Sequence, residues 1–427
     1  MEPTPSPRAR LPLLAPLGAE GISWGGNALA RVAVPWLVLE AGGSAAQTGV
    51  VIGVEMLPVV LGSIFGGVLV DRLGHKRGSV LSDVVSGATV ALIPLLHALG
   101  ALSLPLMVAL VFSGALLDSA GIAARQALLP DVAARAAMTL ERANAAHAAT
   151  LRSAILLGPA LGGALIPVIG VGNVLAVDAA TFAVSAVMIA RLVPPPRIRP
   201  TEQRASYRAD LVEGLRFVRN DQGLRALLVA PTLLAVLVSP VFFVALPAHL
   251  NNAGSAFGLG LVYSAYGGGA ALGAVGYPLL DKRIARRTLF LLATAGQTAG
   301  VAILAALPPP PVLLAGALLV GVAYGPISPL LGVVVAERTP ATLRARVFGA
   351  VAAPTQLATP LGVLIGGALL AALPVGSALA AAAAGCAAVT LAQLRWPAVR
   401  DAEAHWPSVT AQNVTVASPP DRAPRPA

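Results

Sequence analysis

Charge is what this sequence most conspicuously has little of. Only 11% of its 427 residues are charged, against 56% hydrophobic, whereas a soluble domain carries about 25% charged residues. Water is therefore not the solvent for most of its surface, and the mean hydropathy of +0.80 agrees. Cysteine is almost missing as well: Cys386 alone, inside an apolar run, excludes an intramolecular disulfide and a thiolate metal cluster. No Gly-x-x-x-x-Gly-Lys-Ser/Thr phosphate loop and no His-Glu-x-x-His pair occurs, and His75, His97, His147, His249 and His405 are scattered. An enzyme is not expected, nor a cofactor or metal, and any active pumping has to draw on an ion gradient. Acids are the scarcer sign, 19 against 29 Lys and Arg. A nucleic-acid partner would need a basic face on a soluble module, which the sequence does not contain.

The basic excess has a topological reading instead. The 44 glycines and 36 prolines lie within long Ala/Leu/Val runs, where membrane helices tolerate them through close packing and kinks. Runs of roughly 20 apolar residues, enough to cross about 30 Å of hydrocarbon, recur twelve times: 17–40, 48–70, 78–100, 102–124, 143–166, 172–190, 226–248, 257–280, 288–307, 312–335, 347–371 and 375–394. An all-α polytopic membrane protein of twelve helices is predicted. The Pro-rich opening followed by a long apolar stretch does not read as a cleaved signal, so that stretch is expected to remain as the first span. Of the 29 Lys and Arg residues, all but Arg31 and Arg152 fall in alternate loops or the termini. The positive-inside rule then places both termini in the cytoplasm of a cell (inner or plasma) membrane protein. The expected organisation is a cytoplasmic N-terminus (1–16), a six-helix bundle (17–190), a cytoplasmic linker (191–225), a second six-helix bundle (226–394) and a disordered cytoplasmic tail (395–427). Within the linker, Leu211, Leu215 and Val218 recur at helical spacing among charges, which predicts an amphipathic surface helix.

The two bundles repeat each other. Gly67-Val-Leu-Val-Asp71-Arg72-Leu-Gly74-His75-Lys76-Arg77 after span 2 aligns with Gly276-Tyr-Pro-Leu-Leu-Asp281-Lys282-Arg283-Ile-Ala-Arg286-Arg287 after span 8, and Gly158-Pro159-Ala-Leu-Gly162-Gly163 in span 5 aligns with Gly362-Val-Leu-Ile-Gly366-Gly367 in span 11. At the Gly67 to Arg77 loop the chain resembles the major facilitator superfamily, whose signature is Gly-x-x-x-Asp-Arg-x-Gly-Arg-Arg/Lys-Arg/Lys. Ala124-Arg125-Gln126-Ala127-Leu128-Leu129-Pro130-Asp131, Arg142-Ala-Asn144 and Asp178-Ala-Ala-Thr-Phe182 are similar to its drug-exporter branch, which includes macrolide efflux proteins and the enterobactin exporter. The resemblance implies the major facilitator fold, alternating access and proton-driven efflux of a small lipophilic or amphiphilic molecule. It also implies that Gly67, Asp71, Arg72, Gly74, Lys76, Arg77, Asp281 and Lys282 form gating loops. Physically, a carboxylate at a helix start beside clustered cations can hold a gate in one state and release it in another. The Gly158-Pro159-Ala-Leu-Gly162-Gly163 stretch resembles the antiporter motif of proton-coupled exporters; its glycines also let helices approach closely.

Charges inside spans are costly and face a cavity or a partner. Six are counted, all in the first half: Arg31, Glu55, Asp83, Asp118, Arg152 and Asp178. By helical rise Arg31 and Glu55 lie about 13 and 10 Å from the outer end, and Asp118 and Arg152 about 9 and 13 Å from the inner end. Two pairs are therefore expected, Arg31 with Glu55 and Arg152 with Asp118, and Asp83 is expected to favour its helix start or meet Arg125. Four acids exceed two bases, and a carboxylate without a cation in hydrocarbon suits proton pickup and release. The order expected for proton coupling is Asp178, Glu55, Asp118. Polar and aromatic side chains expected in a substrate cavity are Asn27, Trp36, Phe242, Phe243, Tyr263, Tyr266, Gln297, Tyr324 and Gln356. The expected partners are thus a small-molecule substrate, protons and the lipid bilayer, with the chain acting as a monomer. An importer or lipid flippase of the same architecture is the alternative, and a non-transporting membrane receptor or scaffold a second.

Overall fold

A computed structural model describes residues 7–58, 74–194 and 207–400, which form helices and short connections without a strand among them. In chain order the helices are α1 (Pro7–Glu40), α2 (helical over 45–58), α3 (His75–Ala98), α4 (Leu104–Arg135), α5 (Leu140–Ile169), α6 (Val171–Leu192), α7 (Tyr207–Asn220), α8 (Gln222–Pro240), α9 (Leu246–Asn252), α10 (Ala256–Asp281), α11 (Arg286–Ala305), α12 (Pro310–Tyr324), α13 (Ile327–Arg338), α14 (Arg344–Ala372), α15 (Val375–Arg395) and α16 (Pro397–Arg400). Nine spans among the described residues are long and apolar enough to cross a membrane, counting α8 with α9 and α12 with α13 as continuous crossings. Helices α1 and α10 are 34 and 26 residues long, but Glu20, Asn27 and Arg31 dilute the apolar content of one and glycine and tyrosine that of the other. With the described part of α2, over 45–58, they fall at the remaining three expected positions.

Local chemistry sets the helix ends. The Thr139, Asp221 and Ser255 side chains accept hydrogen bonds from the backbone N–H groups of Arg142, Leu224 and Gly258, capping α5, α8 and α10. Gly170, at φ 82°, turns the chain directly from α5 into α6 in a conformation that a side chain resists. Two helices run past their apolar stretches: α1 begins ten residues before the expected span, and α4 continues to Arg135, so that Arg125 is a helix residue rather than a loop cation.

Span 7 contains a feature that periodicity does not signal. Between α8 and α9, Val241–Ala245 form a π-helical turn, and the Leu246 N–H bonds to the Val241 carbonyl. The displaced Phe242 carbonyl is taken by the Tyr263 hydroxyl, which donates to it at 3.0 Å. This is why Tyr263 and Phe242 sit together.

In the first half α1 packs on α5 and α6, and α3 on α4 and α6; in the second, α8 packs on α14 and α15, and α11 on α12 and α15. The duplicated glycines join these sets. A Cβ on Gly158 would lie 2.2 Å from the Ala28 Cβ of α1, and one on Gly163 2.4 Å from the Ala256 carbonyl of α10. In the second copy, a Cβ on Gly366 would lie 2.0 Å from Pro240 of α8, and one on Gly367 3.0 Å from the Gly49 Cα of α2. Each copy thus seats its helix on its own half through one glycine and on the opposite half through another. The seams α5–α10 and α2–α14 are related by the repeat, and both lie toward one end of the helices.

The linker helix α7 covers the expected amphipathic stretch. Gly214 rests on the Arg346 backbone of α14, Glu213 pairs with Arg346, and Val212 and Leu215 remain exposed. The tail from 401 and the linker residues 195–206 lie outside the described residues.

Candidate functional site

A cavity of about 700 Å³ opens between the halves, walled by α1 to α6 together with Phe243, Tyr263, Gln356, Thr359 and Pro360 from the second half. Asn27, Arg31, Glu55, Asp118 and Asp178 all line it. Of the other expected contacts, Phe243, Tyr263 and Gln356 reach the wall. Trp36 and Phe242 are instead packed in the core, and the buried Gln297 donates to the Ala293 carbonyl within its own helix. Tyr266 stacks between Phe242 (4.7 Å) and Tyr324 (6.3 Å), and neither Tyr266 nor Tyr324 borders the cavity. The difference is one of helix face, which residue type does not report. Ser86, Ser119, Gln126 and His147 complete the polar lining.

Of the expected contacts, Asp83 meets Arg125, whereas the pairs Arg31–Glu55 and Arg152–Asp118 do not form. Arg31 and Glu55 share the cavity wall without an ion-pair contact between them, although Arg31 is the cation that acts on Glu55 through space. Arg152 is exposed and outside the wall, although its neighbours Leu151, Ala154 and Ile155 are in it. The cation that meets Asp118 is Arg125, at 3.5 Å, and the same guanidinium meets Asp83 at 2.7 Å. It lies seven residues after Asp118 on α4, two turns along the same face. Ser185 of α6 donates to the other Asp83 oxygen at 2.7 Å, and Asn27 of α1 donates to Asp118 at 2.9 Å. One buried arginine therefore ties α1, α3, α4 and α6 together. Such a cluster holds only while every charge is paired.

Asp178 is in the opposite situation. Its side chain is buried, at 1% residue exposure, and meets no cation; the hydroxyl beside it, that of Thr181, donates at 2.6 Å to the Asp178 backbone carbonyl. It lies against the α1 backbone at Gly26, where a Cβ would fall 2.4 Å from Oδ1. A carboxylate kept without a cation in the interior costs stability and calls for an explanation in function.

A second acid escaped the count of intramembrane charges. Glu20 on α1 is 3% exposed, and its Oε2 lies 2.8 Å from Nδ1 of His147 on α5. The signal was present, since Glu20 falls within the expected first span.

Of the gating residues, Gly67, Asp71 and Arg72 lie outside the described residues. Gly74 starts α3 at φ 77°, Lys76 donates to the Val193 carbonyl at the end of α6 (2.6 Å), and Arg77 is exposed. In the second copy Arg286 clasps Asp281 at 3.1 Å and Glu337 through both nitrogens at 2.6 and 3.0 Å, joining the ends of α10, α11 and α13. Lys282 stays exposed beside it.

The chain matches the family model described as Major Facilitator Superfamily over residues 17–282 and 232–422. It is 34% identical over 371 residues to the multidrug efflux pump Tap of Mycolicibacterium fortuitum, covering 85% of this chain and 90% of that one. To the multidrug efflux pump Tap of Mycobacterium tuberculosis it is 35% identical over 354 residues, covering 81% and 84%. Among solved structures, the nucleoside transporter NupG superposes with a TM-score of 0.72 at 12% identity, covering 90% of this chain and 98% of that one. A bacterial homologue of the iron transporter ferroportin in an inward-facing state gives 0.70 at 15%, covering 92% and 99%. At such identities the structural likenesses speak for the fold, whereas the family match and the two pumps speak for descent. The chain belongs to the Major Facilitator Superfamily and is a multi-pass membrane transporter of a small-molecule substrate.

Proposed function

We propose that the chain is a monomeric proton antiporter that exports a small lipophilic or amphiphilic molecule by alternating access. The observation that carries this reading is Asp178, a buried carboxylate that meets no cation on the wall of a cavity shared by both halves. A carboxylate so placed can take up a proton when the cavity faces one side and give it up when a cationic group or the opposite face replaces it. The relatives named multidrug efflux pump support the direction and the substrate class.

With both termini in the cytoplasm, as the positive loops indicate, the glycine seams lie at the external end and the conformation described is open inward. The two six-helix sets, 17–190 and 226–394, are the bodies that rock, and the seams are where they meet and part. The Asp281–Arg286–Glu337 clasp, with the Lys76 contact to the end of α6, then latches the cytoplasmic ends. Glu55 and Asp118 act with Asp178 in setting the charge of the cavity, and Arg31 is the cation they face across it.

In proteoliposomes, Asp178→Asn is expected to reduce the proton movement that accompanies each transported substrate by about tenfold or more. The measurement is the ratio of proton flux to substrate flux. An unchanged ratio would remove Asp178 from the coupling.

A further inference from the structure

We propose that Glu20 and His147 form a second proton-binding site, loaded from the cavity through the imidazole and separate from Asp178. The inference rests on the proton-exchange reading above, and deepens it by naming a second acceptor. His147 is part of the cavity wall, while Glu20 lies behind it and is not. Across the 2.8 Å contact an ionised Glu20 can only accept, so Nδ1 carries the hydrogen, and Nε2 is left to receive a proton. The imidazolium so formed remains paired with the carboxylate, and one proton enters the pair in total. The second Glu20 oxygen, Oε1, is buried without a partner, so the carboxylate is not already saturated by the fold in the way that Asp83 is by Arg125 and Ser185.

The surroundings make the site responsive. The charged groups facing it are Arg125 and Asp118 of α4, which act on Glu20 through space, with Asp83 of α3 held behind Arg125. On α6 the nearest side to this part of α1 is apolar, with Met188 against Gly18. Proton loading at His147 therefore adds a positive charge near the Asp118 and Arg125 pair. That is a direct way for protonation to act on a cluster joining four helices.

The structure also supplies a reporter. Trp24 lines the same wall, with its ring centroid 5.1 Å from that of His147 at an interplanar angle of 63°. An imidazolium at that distance quenches indole emission more than neutral imidazole does. The experiment is a titration of the full chain in liposomes from about pH 5 to 8.5, following the part of the emission that Trp24→Phe removes. Emission is expected to rise with pH through one inflection, which is absent in His147→Gln. In Glu20→Gln the inflection is expected to move, because the carboxylate that pairs with the imidazole is gone. Glu20→Asp is expected to restore it in part. An inflection that is missing from the natural sequence, or indifferent to Glu20→Gln, overturns the proposal. If Glu20→Gln yields no folded protein, Glu20→Ala carries the same comparison, and an inflection it leaves unmoved also overturns the pairing. The companion readout is the pH profile of gradient-driven transport. A natural chain that titrates at Trp24 but moves no substrate against a pH gradient refutes proton exchange and leaves the site standing. A transport profile unaltered by either substitution refutes the site's role and leaves proton exchange standing.

Discussion

Arg125→Met is expected to destabilise the folded chain by about 3–5 kcal/mol, because it strands two carboxylates that share one guanidinium in the interior. Asp83 loses its contact at 2.7 Å and keeps only the Ser185 hydroxyl; Asp118 keeps only Asn27. The methionine fills much of the volume, so packing is not what changes. Thermal unfolding in detergent measures the effect, and the combination Arg125→Met, Asp83→Asn, Asp118→Asn is expected to recover most of the loss. Residues in one network are not additive, and here the non-additivity has a definite sign: the triple variant is more stable than the single one. A triple variant no better than Arg125→Met alone would mean that the cost is steric.

The second large effect concerns the seam. Gly163→Val is expected to cut transport by about 5- to 150-fold without preventing assembly, since it penalises only the state in which α5 and α10 touch. A Cβ there meets the Ala256 carbonyl at 2.4 Å and the Gly260 Cα at 3.1 Å, both backbone atoms that cannot swing aside. Overpacking of this kind costs about 1–3 kcal/mol. Gly367→Val acts on the repeat-related seam, against Gly49. Both are expected to hold the external end apart. With Met56→Cys on the cavity wall, labelling by an impermeant maleimide from outside should accelerate in each variant, while the buried Cys386 remains silent. Labelling that stays slow would place the glycines in simple packing.

These two cases show what was legible in the sequence. The glycines were, because their spacing repeats at equivalent places in both halves and a residue without a side chain has few reasons to recur in a helix except close approach. Twelve apolar stretches and the family signature were legible for the same kind of reason: they are properties of the chain read along its length. The charge network was legible only in part: Asp83 meeting Arg125 was one of the two placements expected for that acid, but the contact the same guanidinium makes with Asp118 was not expected. Arg125 lies just beyond the apolar run of span 4 and looks like a loop cation, and only the continuation of α4 to Arg135 carries it inward. Arg152 has a plausible depth for meeting Asp118 but the wrong helical face, and depth counting has no term for rotation about the helix axis. Tyr263 was expected in the cavity and is there, yet its partnership with the Phe242 carbonyl depends on a π-helical turn that leaves no periodic trace. Trp36, Gln297 and Tyr324 show the converse, as residue types suited to a cavity that packing uses elsewhere.

Exchange of an outward-moving small molecule for protons is the proposed activity on which the roles of Asp178 and His147 depend. Its most direct test is the reconstituted full chain, with a lipophilic fluorescent dye as the probe and a pH gradient as the only driving force. Imposing an acidic interior is expected to drive dye into the liposome through inverted molecules, with matching proton exit, and an ionophore collapsing the gradient is expected to stop both. Dye movement that proceeds at the same rate with no gradient, or with no accompanying proton flux, would contradict it.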